Sequence, residues 1–281
     1  MFSKRSVLDY GGFPALSDLQ DAHWRSLFAG LEQAQTEFLT HEISFRSAEY
    51  RWPRDPLHTW SRLWEYPYVI HHLSRIRQTA QCDELLKVAD VGSGVTFFPF
   101  SVARLGYDVT CVDIDPVCAR DIAAATKVVA HAPGKVNVRL MDGKKIPLAD
   151  ESQDAVYCIS VLEHIPQFED TIDEIARTLK RRGTFVLTVD VDLRGDAELG
   201  GEAFDLLLGR LERHFSASSS FRIVHPTQIL TSANSIRPIM RRTLFNVGKA
   251  ILQNACRGGL FDTRHDVTMY LTVFAATFQR T

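Results

Sequence analysis

The sequence predicts an α/β fold with a doubly wound, mostly parallel sheet. Short runs rich in β-branched residues alternate with helix-length segments between Lys87 and Asp190. Such regular alternation is typical of parallel strands joined by right-handed crossovers. Three successive runs end in an acid: Asp90, Asp113 and Asp142. Because the carboxyl ends of parallel strands meet at one edge of a sheet, we expect these acids to converge on one ligand.

The first strand leads into a glycine loop. Residues 87–100 read KVADVGSGVTFFPF, in which Val88 and Val91 suit a buried strand. Gly92 and Gly94 allow the backbone to turn tightly and to approach a bound molecule closely. A helix is expected from about Phe97 to Leu105, which completes a strand-loop-helix unit with its ligand beyond the strand.

The remaining elements are predicted from hydrophobic periodicity and from capping residues. Ser17 and Gln20 form a capping box in the first helix, Thr171 and Glu174 form another, and Gly183 is expected to end that later helix. Helices are expected at about 14–41, 69–81, 115–130, 171–183 and 202–215. Strands are expected at 107–113, 136–141, 155–160, 184–189, 221–224 and 267–278.

Composition points to a small-molecule ligand. The 281 residues carry a net charge of -2 and an isoelectric point near 6.6, which gives no general attraction to nucleic acid or to acidic membranes. There is neither a signal-peptide core nor an apolar run of membrane-spanning length, so a cytoplasmic location is expected. The five cysteines are scattered without CxxC spacing, so we expect no disulfide framework and no metal site. No feature predicts an oligomeric state.

An aromatic and arginine-rich stretch precedes the glycine loop. Residues 46–68 crowd tryptophan and tyrosine rings among arginines and three prolines. Two interpretations stay open. The stretch is either a packed connector over the edge of the sheet or a lid, in which arginine binds an anion and aromatic rings stack on a ligand. For a lid, the predicted substrate contacts are Trp64, Tyr66 and Tyr68.

The spacing of the acids favours an adenosine over a dinucleotide. Asp113 follows Gly92 at about the 20-residue interval at which an acid reaches ribose hydroxyls. A dinucleotide fingerprint would require glycine at position 97, where this chain has Phe97. The carboxylate of Asp90 beside the loop also disfavours a phosphate and suits a cationic group.

The motif series resembles that of class I S-adenosylmethionine-dependent methyltransferases. It consists of DVGSG at 90–94, Asp113, Asp142 with Gly143, and DAVYCISVLEHI at 154–165. The resemblance covers about 87–190. It implies a Rossmann-like fold of seven strands, the last antiparallel. It also implies a helical N-terminal cap or lid extension over 1–81 and a methyltransferase domain over 82–281, in which an insertion before the last strand, about 191–265, is a variable acceptor-side region.

The resemblance also implies S-adenosylmethionine as the cofactor. The glycine loop would approach its methionine part, with Asp90 near the amino group. Asp113 would accept hydrogen bonds from the ribose hydroxyls, and Asp142 would bind the adenine amino group. Thr96 replaces a glycine that the family often has. The full predicted cofactor set is Asp90, Gly92, Ser93, Gly94, Asp113, Ile114, Asp142, Gly143, Ser160 and Val161, of which the last two would lie near the sulfonium.

Methyl transfer from a sulfonium is a direct displacement, so the protein mainly aligns the reactants. A general base is useful when the acceptor is a hydroxyl. His164 is the first candidate because it follows the fourth strand, and Glu163 and Asp190 come next. The alternative for His164 is a residue that packs or caps a helix start.

The predicted function is methyl transfer to a small-molecule hydroxyl of glycosyl or natural-product type. A regulatory protein that binds the cofactor without transferring a methyl group is the main alternative. A nicotinamide oxidoreductase is disfavoured by Phe97. Aminopropyl transfer from a decarboxylated cofactor is a further chemistry on the same fold.

Overall fold

A seven-stranded sheet runs through the chain, of which the computed structural model describes residues 5–80, 82–193, 198–235 and 271–281. The five strands at one side of the sheet pair in parallel, and the seventh strand along the chain is antiparallel to both its neighbours. This arrangement confirms the doubly wound, mostly parallel fold. The order across the sheet is β4 (Lys135–Leu140), β3 (Tyr107–Asp113), β2 (Leu86–Val91), β5 (Gln153–Ile159), β6 (Leu179–Asp192), β9 (Leu271–Arg280) and β7 (Phe215–Ala217).

Helices cover both faces of this sheet. One hydrophobic cluster joins the sheet to α1, α3, α4 and α5, and a second joins its other face to α6 and α7. Burial on both faces explains the nearly continuous buried runs in the central strands β5 and β6. The helices are α1 (Ala22–Thr40), α2 (Glu42–Phe45), α3 (Arg62–Thr79), α4 (Phe98–Arg104), α5 (Pro116–Ala125), α6 (Phe168–Thr178) and α7 (Gly201–Glu212).

The edge strand β7 had no clear signal in the sequence. It is only three residues long, and one of its side chains, Phe215, is buried. Strand β9 begins at Leu271, within the predicted strand 267–278, whose first four residues lie outside the described residues. Residues 194–197 and 236–265 of the predicted variable region also lie outside the described residues.

Two predicted capping boxes are wrong. Residues Leu16–Gln20 form a 3-10 helix, and α1 begins after Asp21, whose Oδ1 accepts hydrogen bonds from the backbone N–H groups of His23 and Trp24. Asp21 satisfies two of the free N–H groups at the helix start, so Ser17 is not needed as a cap. In α6 the first residue is Phe168, three residues before the predicted cap.

Helix α3 starts earlier than predicted and contains Pro67. Proline lacks an N–H group, so the carbonyl of Leu63, one turn earlier, loses its helical partner. The indole N–H of Trp24 on α1 donates to that carbonyl at 3.1 Å. Trp24 therefore supplies the hydrogen bond that Pro67 omits, and the helix continues through the aromatic stretch.

The N-terminal segment is joined to the end of the chain. A two-stranded parallel sheet pairs β1 (Tyr10–Gly11) with β8 (Ser220–Phe221). The backbone of Gly12 exchanges hydrogen bonds with Ala275 of β9 at 2.8 and 3.1 Å. Asp18, which is buried, forms an ion pair with Arg222. These contacts hold the N-terminal segment beside the antiparallel strand.

A substitution at Gly134 tests the packing between α4 and the start of β3. An added Cβ would lie 2.2 Å from the carbonyl oxygen of Ala103 and 2.3 Å from that of Tyr107. Backbone atoms cannot move aside cheaply, so we expect Gly134→Ala to lower the free energy of unfolding by about 1–3 kcal/mol. Urea denaturation measures this change.

The matched control for that substitution is Gly209→Ala in α7. A Cβ at Gly209 meets no atom within 4 Å, and alanine is favoured over glycine inside a helix by about 0.5–1 kcal/mol. We expect this variant to be as stable as the wild type or more stable. Equal denaturation midpoints for the two variants would contradict the packing argument.

Candidate active site

The glycine loop follows β2 and lies against residue Val161. Gly92 has φ +75° and Gly94 has φ +55°, both in the left-handed region that favours glycine. A Cβ at Gly92 would lie 2.4 Å from a methyl carbon of Val161. Both glycines are thus required by backbone conformation, and the first is also required by the contact with Val161.

The carboxylate of Asp113 anchors this loop to the end of β3. Its Oδ2 accepts a hydrogen bond from the N–H of Gly94 at 2.9 Å, and its Oδ1 accepts one from the N–H of Asp115 at 2.9 Å. A carboxylate has about four lone-pair sites, so each oxygen keeps capacity for one further donor. Ile114, the next residue, is 65% exposed. Two members of the predicted cofactor set, Asp113 and Ile114, therefore stand side by side where β3 ends.

Asp90 is a buried acid beneath the loop. It is 4% exposed and is paired in register with Tyr157 of β5. Burial, with a smaller contribution from the Asp113 charge, raises the pKa of Asp90 well above its ordinary value. An ammonium group bound nearby would favour the ionised carboxylate. Asp90 therefore fits the amino group of the implied cofactor.

The residues after β4 form an exposed turn. Oδ1 of Asp142 accepts hydrogen bonds from the backbone N–H groups of Lys144 at 2.9 Å and Lys145 at 3.0 Å. These bonds lower the pKa of Asp142. Gly143 has φ +82°. The turn thus holds an ionised acceptor in place at the same edge of the sheet as Asp113.

Two N-terminal side chains fix the other side of the glycine loop. The backbone N–H of Val95 donates to the hydroxyl of Tyr50 at 3.3 Å, and Arg46 Nη1 donates to the Val95 carbonyl at 3.2 Å. The Arg46 guanidinium lies 4.2 Å from the centre of the Tyr50 ring. These two residues were not predicted as site residues, although both belong to the aromatic and arginine-rich stretch.

Ser160 ends β5 in an unusual conformation. Its φ of +45° lies in the left-handed region, which costs energy for a residue other than glycine. Its hydroxyl donates to Glu65 Oε1 at 2.7 Å and accepts from Arg62 Nη1 at 2.6 Å. Two side chains of α3 therefore hold the residue that was predicted to lie near the sulfonium.

Glu65 is completely buried between α3 and the sheet. Its Oε1 also accepts a hydrogen bond from Thr188 Oγ1 at 2.6 Å, and its Oε2 is paired with Arg62. Neither Glu65, Arg62 nor Thr188 was predicted as a site residue. The only sequence feature that could have indicated Glu65 is its position as an acid among the aromatic residues of the stretch 46–68.

Glu163 and Asp190 form a carboxyl pair beside this bridge. The backbone N–H of Asp190 donates to Glu163 Oε1 at 3.0 Å. Glu163 Oε2 and Asp190 Oδ1 are buried and have no hydrogen-bond partner among the described residues. Burial is the main cause that raises the pKa of Glu163 to about 8 and that of Asp190 well above its ordinary value. The two groups therefore share a raised affinity for protons.

His164 is more exposed than this pair. Its side chain is 57% exposed, and its Nδ1 lies 3.5 Å from Glu198 Oε2. The structure therefore brings together two of the three predicted catalytic residues and places His164 at the surface.

The three predicted substrate aromatics lie in the hydrophobic core. Trp64, Tyr66 and Tyr68 are 2%, 4% and 0% exposed. Tyr66 stacks on Phe98 with ring centres 4.5 Å apart, and burial raises its pKa to about 12. The side chains of α3 that reach the ends of the strands are instead Arg62 and Glu65.

The described part of the chain contains neither a metal cluster nor a membrane-spanning helix. No group of three histidine, cysteine or acidic side chains there is placed to hold a metal ion. No helix there is long and apolar enough to cross a bilayer.

A cavity of about 1170 Å³ lies between the N-terminal segment, α1 and α3, and none of the predicted site residues lines it.

Comparison with known proteins identifies the central part of the chain. Residues 89–187 match the model of the family described as "Methyltransferase domain". The chain carries a class I S-adenosylmethionine-dependent methyltransferase domain. The match begins within β2 and ends within β6, so it contains the glycine loop, Asp113 and Ser160.

Two curated relatives match this methyltransferase domain. An uncharacterized methyltransferase, YcgJ, from Bacillus subtilis is 29% identical over 117 residues, 39% of this chain and 43% of the relative. The mitochondrial ubiquinone biosynthesis O-methyltransferase of Schizosaccharomyces pombe is 30% identical over 122 residues, 41% of this chain and 42% of the relative. The chain thus matches less than half the length of these two proteins.

Solved structures show the same fold at low sequence identity. The (4+2)-cyclase SpnF has a TM-score of 0.54 at 17% identity, covering 89% of this chain and 95% of the cyclase chain. A geranyl diphosphate methyltransferase in complex with GPP and sinefungin has a TM-score of 0.50 at 12% identity, covering 75% of this chain and 77% of that one.

The raised pKa of Glu163 predicts a pH-dependent stability. The folded chain holds this carboxyl protonated up to about pH 8, whereas its ordinary pKa is 4.5. The stability that the neutral carboxyl provides is present below about pH 4.5 and is lost as the pH rises to 8. We expect the free energy of unfolding of the wild type to fall over this interval relative to that of Glu163→Gln.

Urea denaturation at pH 5, 6.5 and 8 measures this difference. Glu202→Gln is the control, because Glu202 is exposed at the start of α7. Its difference from the wild type gives the effect of removing one exposed carboxyl at each pH. A pH-independent difference for Glu163→Gln would mean that Glu163 is ionised throughout.

Proposed function

We propose that this chain transfers a methyl group from S-adenosylmethionine to a hydroxyl of a small-molecule acceptor of glycosyl or natural-product type. The observation that carries the proposal is the arrangement at one edge of the sheet. The glycine loop and the Asp113 carboxylate lie at the ends of β2 and β3, and the half-buried pair Glu163 and Asp190 lies in the turn after β5 and near the end of β6.

The described residues fit the cofactor that the domain implies. Asp90 would hold the amino group, Asp113 the ribose hydroxyls and Asp142 the adenine amino group, and all three are acidic, as a cationic, hydroxyl-bearing ligand requires. Ser93 and Val161 would complete the wall of the loop, with Ser160 beside them. When bound, S-adenosylmethionine supplies an activated methyl group.

The carboxyl pair supplies the base that a hydroxyl acceptor needs. A base acts most effectively when its pKa lies near the working pH, and the pKa of Glu163 is raised to about 8. Glu163 Oε2 and Asp190 Oδ1 have no hydrogen-bond partner among the described residues, so the ionised form of either group has an oxygen free to take the proton of the acceptor. We therefore rank Glu163 and Asp190 before His164.

The acceptor side is proposed to come from the flanking regions. In this view residues 1–81 are a cap and about 191–265 a variable acceptor-side region. The side chains of Arg62 and Glu65 at the ends of β5 and β6 support the first assignment. A small acceptor is also supported by the ubiquinone O-methyltransferase among the relatives and by the net charge of -2, which gives no attraction to nucleic acid.

Calorimetry with S-adenosylmethionine tests the cofactor site. Hydrogen bonds to a charged group contribute about 1.5–3 kcal/mol each, so we expect Asp113→Ala to weaken binding by roughly 10- to 100-fold. Asp108→Ala is the control, because Asp108 begins the same strand at its other end and contacts Asn137. Equal affinity for all three proteins, or no binding to the wild type, would sink the assignment.

Transfer of a labelled methyl group tests the reaction. We expect label to pass from methyl-labelled S-adenosylmethionine to a hydroxyl within a panel of glycosides and phenols. Loss of a general base typically costs about 10²- to 10⁴-fold, so Glu163→Gln is expected to lower kcat by that order while cofactor binding persists. A Glu163→Gln variant with wild-type turnover would exclude Glu163 as the base.

A second candidate is a protein that binds the cofactor on this fold without transferring its methyl group. This candidate is supported by the fold of the (4+2)-cyclase, which matches 89% of this chain although that protein is named for a different reaction. Tight binding of S-adenosylmethionine without label transfer to any acceptor would support this candidate over methyl transfer.

A further inference from the structure

Two side chains from outside the matched methyltransferase region bind Ser160 and Thr188, which precede Glu163 and Asp190 by three and two residues along the chain. Arg62 and Glu65 lie one turn apart at the start of α3, whereas the family match covers only 89–187. Their ion pair spans the gap between this helix and the ends of two strands. Glu65 Oε1 accepts hydrogen bonds from Ser160 on one strand end and from Thr188 on the other.

This bridge is held in place because both carboxylate oxygens of Glu65 are engaged. Glu65 is fully buried, with Arg62 on its Oε2 and two hydroxyls on its Oε1. Arg62 Nη1 also donates to Ser160 Oγ at 2.6 Å. The charges of Arg62 and Glu65 are therefore fixed at the points where the strands deliver Glu163 and Asp190.

Few other charges face the carboxyl pair among the described residues. The negative charge of Glu65 on α3 raises the pKa of both carboxyls. Glu163 itself and Glu198, which precedes α7, also raise the pKa of Asp190. Arg62 is the positive group that acts on both. His164 is exposed and is paired with Glu198. Helix α3 thus contributes one charge of each sign that acts on both carboxyls.

We propose that Arg62 and Glu65 are positioning residues for the base: through their buried bridge to Ser160 and Thr188 they set how readily Glu163 and Asp190 take up a proton. The inference rests on the proposed function for its catalytic meaning. It assigns to an N-terminal helix the control of a group that lies inside the methyltransferase domain.

Because the bridge carries two opposite charges, removing each charge is expected to shift the Glu163 titration in opposite directions. The negative charge of Glu65 raises the pKa of Glu163, and the positive charge of Arg62 lowers it. Glu65→Gln is therefore expected to shift the titration of Glu163 to lower pH, and Arg62→Gln to higher pH. The expected size of each shift is about one pH unit. A residue that only packs the helix would shift both in the same direction or not at all.

Titration by ¹³C NMR of protein with labelled glutamate side-chain carboxyls measures these shifts, and Glu163→Gln assigns the Glu163 signal. The double variant Arg62→Gln with Glu65→Gln is expected to titrate near the wild type, because one charge of each sign is removed. Arg62→Lys keeps the positive charge and is expected to stay near the wild type, which covers the case in which Arg62→Gln fails to fold.

A matched pair elsewhere serves as the control. Glu174 and Arg177 of α6 also form an ion pair one turn apart, and Glu174→Gln is expected to leave the Glu163 titration unchanged. Shifts of equal sign in the two α3 variants, or no shift in Glu65→Gln, would overturn the proposal.

The titration separates this inference from the proposed function, because it uses neither cofactor nor acceptor. Opposite shifts without any methyl transfer would support the α3 control and reject the proposed reaction. Normal methyl transfer with an unshifted titration would support the proposed reaction and reject the α3 control. Once an acceptor is found, the acidic limb of the pH profile of kcat is expected to move with the NMR titration in each variant.

Discussion

The position of one buried carboxylate, that of Glu65, determines how the two parts of the chain meet. An ionised group in the interior is costly unless it is paired and hydrogen-bonded, and Glu65 meets this condition only through Arg62, Ser160 and Thr188. The N-terminal helix and the ends of β5 and β6 must therefore be in contact for the charge to be tolerated. Truncation of Arg62 would leave the buried charge without its ion-pair partner.

The elements that the sequence predicts well are those encoded locally. Strand β3 coincides with its predicted bounds, because the hydrophobic run is closed by the acid that also forms the site. The glycine loop was recognised because a left-handed backbone conformation is nearly specific to glycine. The N-cap of α5 was predicted equally well: Asp115 accepts a hydrogen bond from Val117, and proline follows it directly.

The parts that the sequence does not reveal depend on contacts between distant residues. Arg62 and Ser160 are 98 residues apart along the chain, and Glu65 and Thr188 are 123 apart. No spacing rule links such positions. The orientation of His164 is equally non-local, because a three-residue 3-10 turn rather than a regular helix follows β5 and directs its ring to the surface. The sequence pattern of a strand end followed by a helix start therefore did not show which of its acids and its histidine would be exposed.

The indole of Trp24 and the ring of Pro67 form a unit across α1 and α3. The carbonyl of Leu63 has one helical donor too few because of Pro67, and Trp24 replaces it. Loss of the indole would leave a buried acceptor unsatisfied, whereas loss of the proline would introduce a competing N–H group at the same oxygen. Selection acts on such a pair jointly. Among descendants of a common ancestor, the two positions are therefore expected to change together, which makes their covariation a record of how α1 and α3 came to pack.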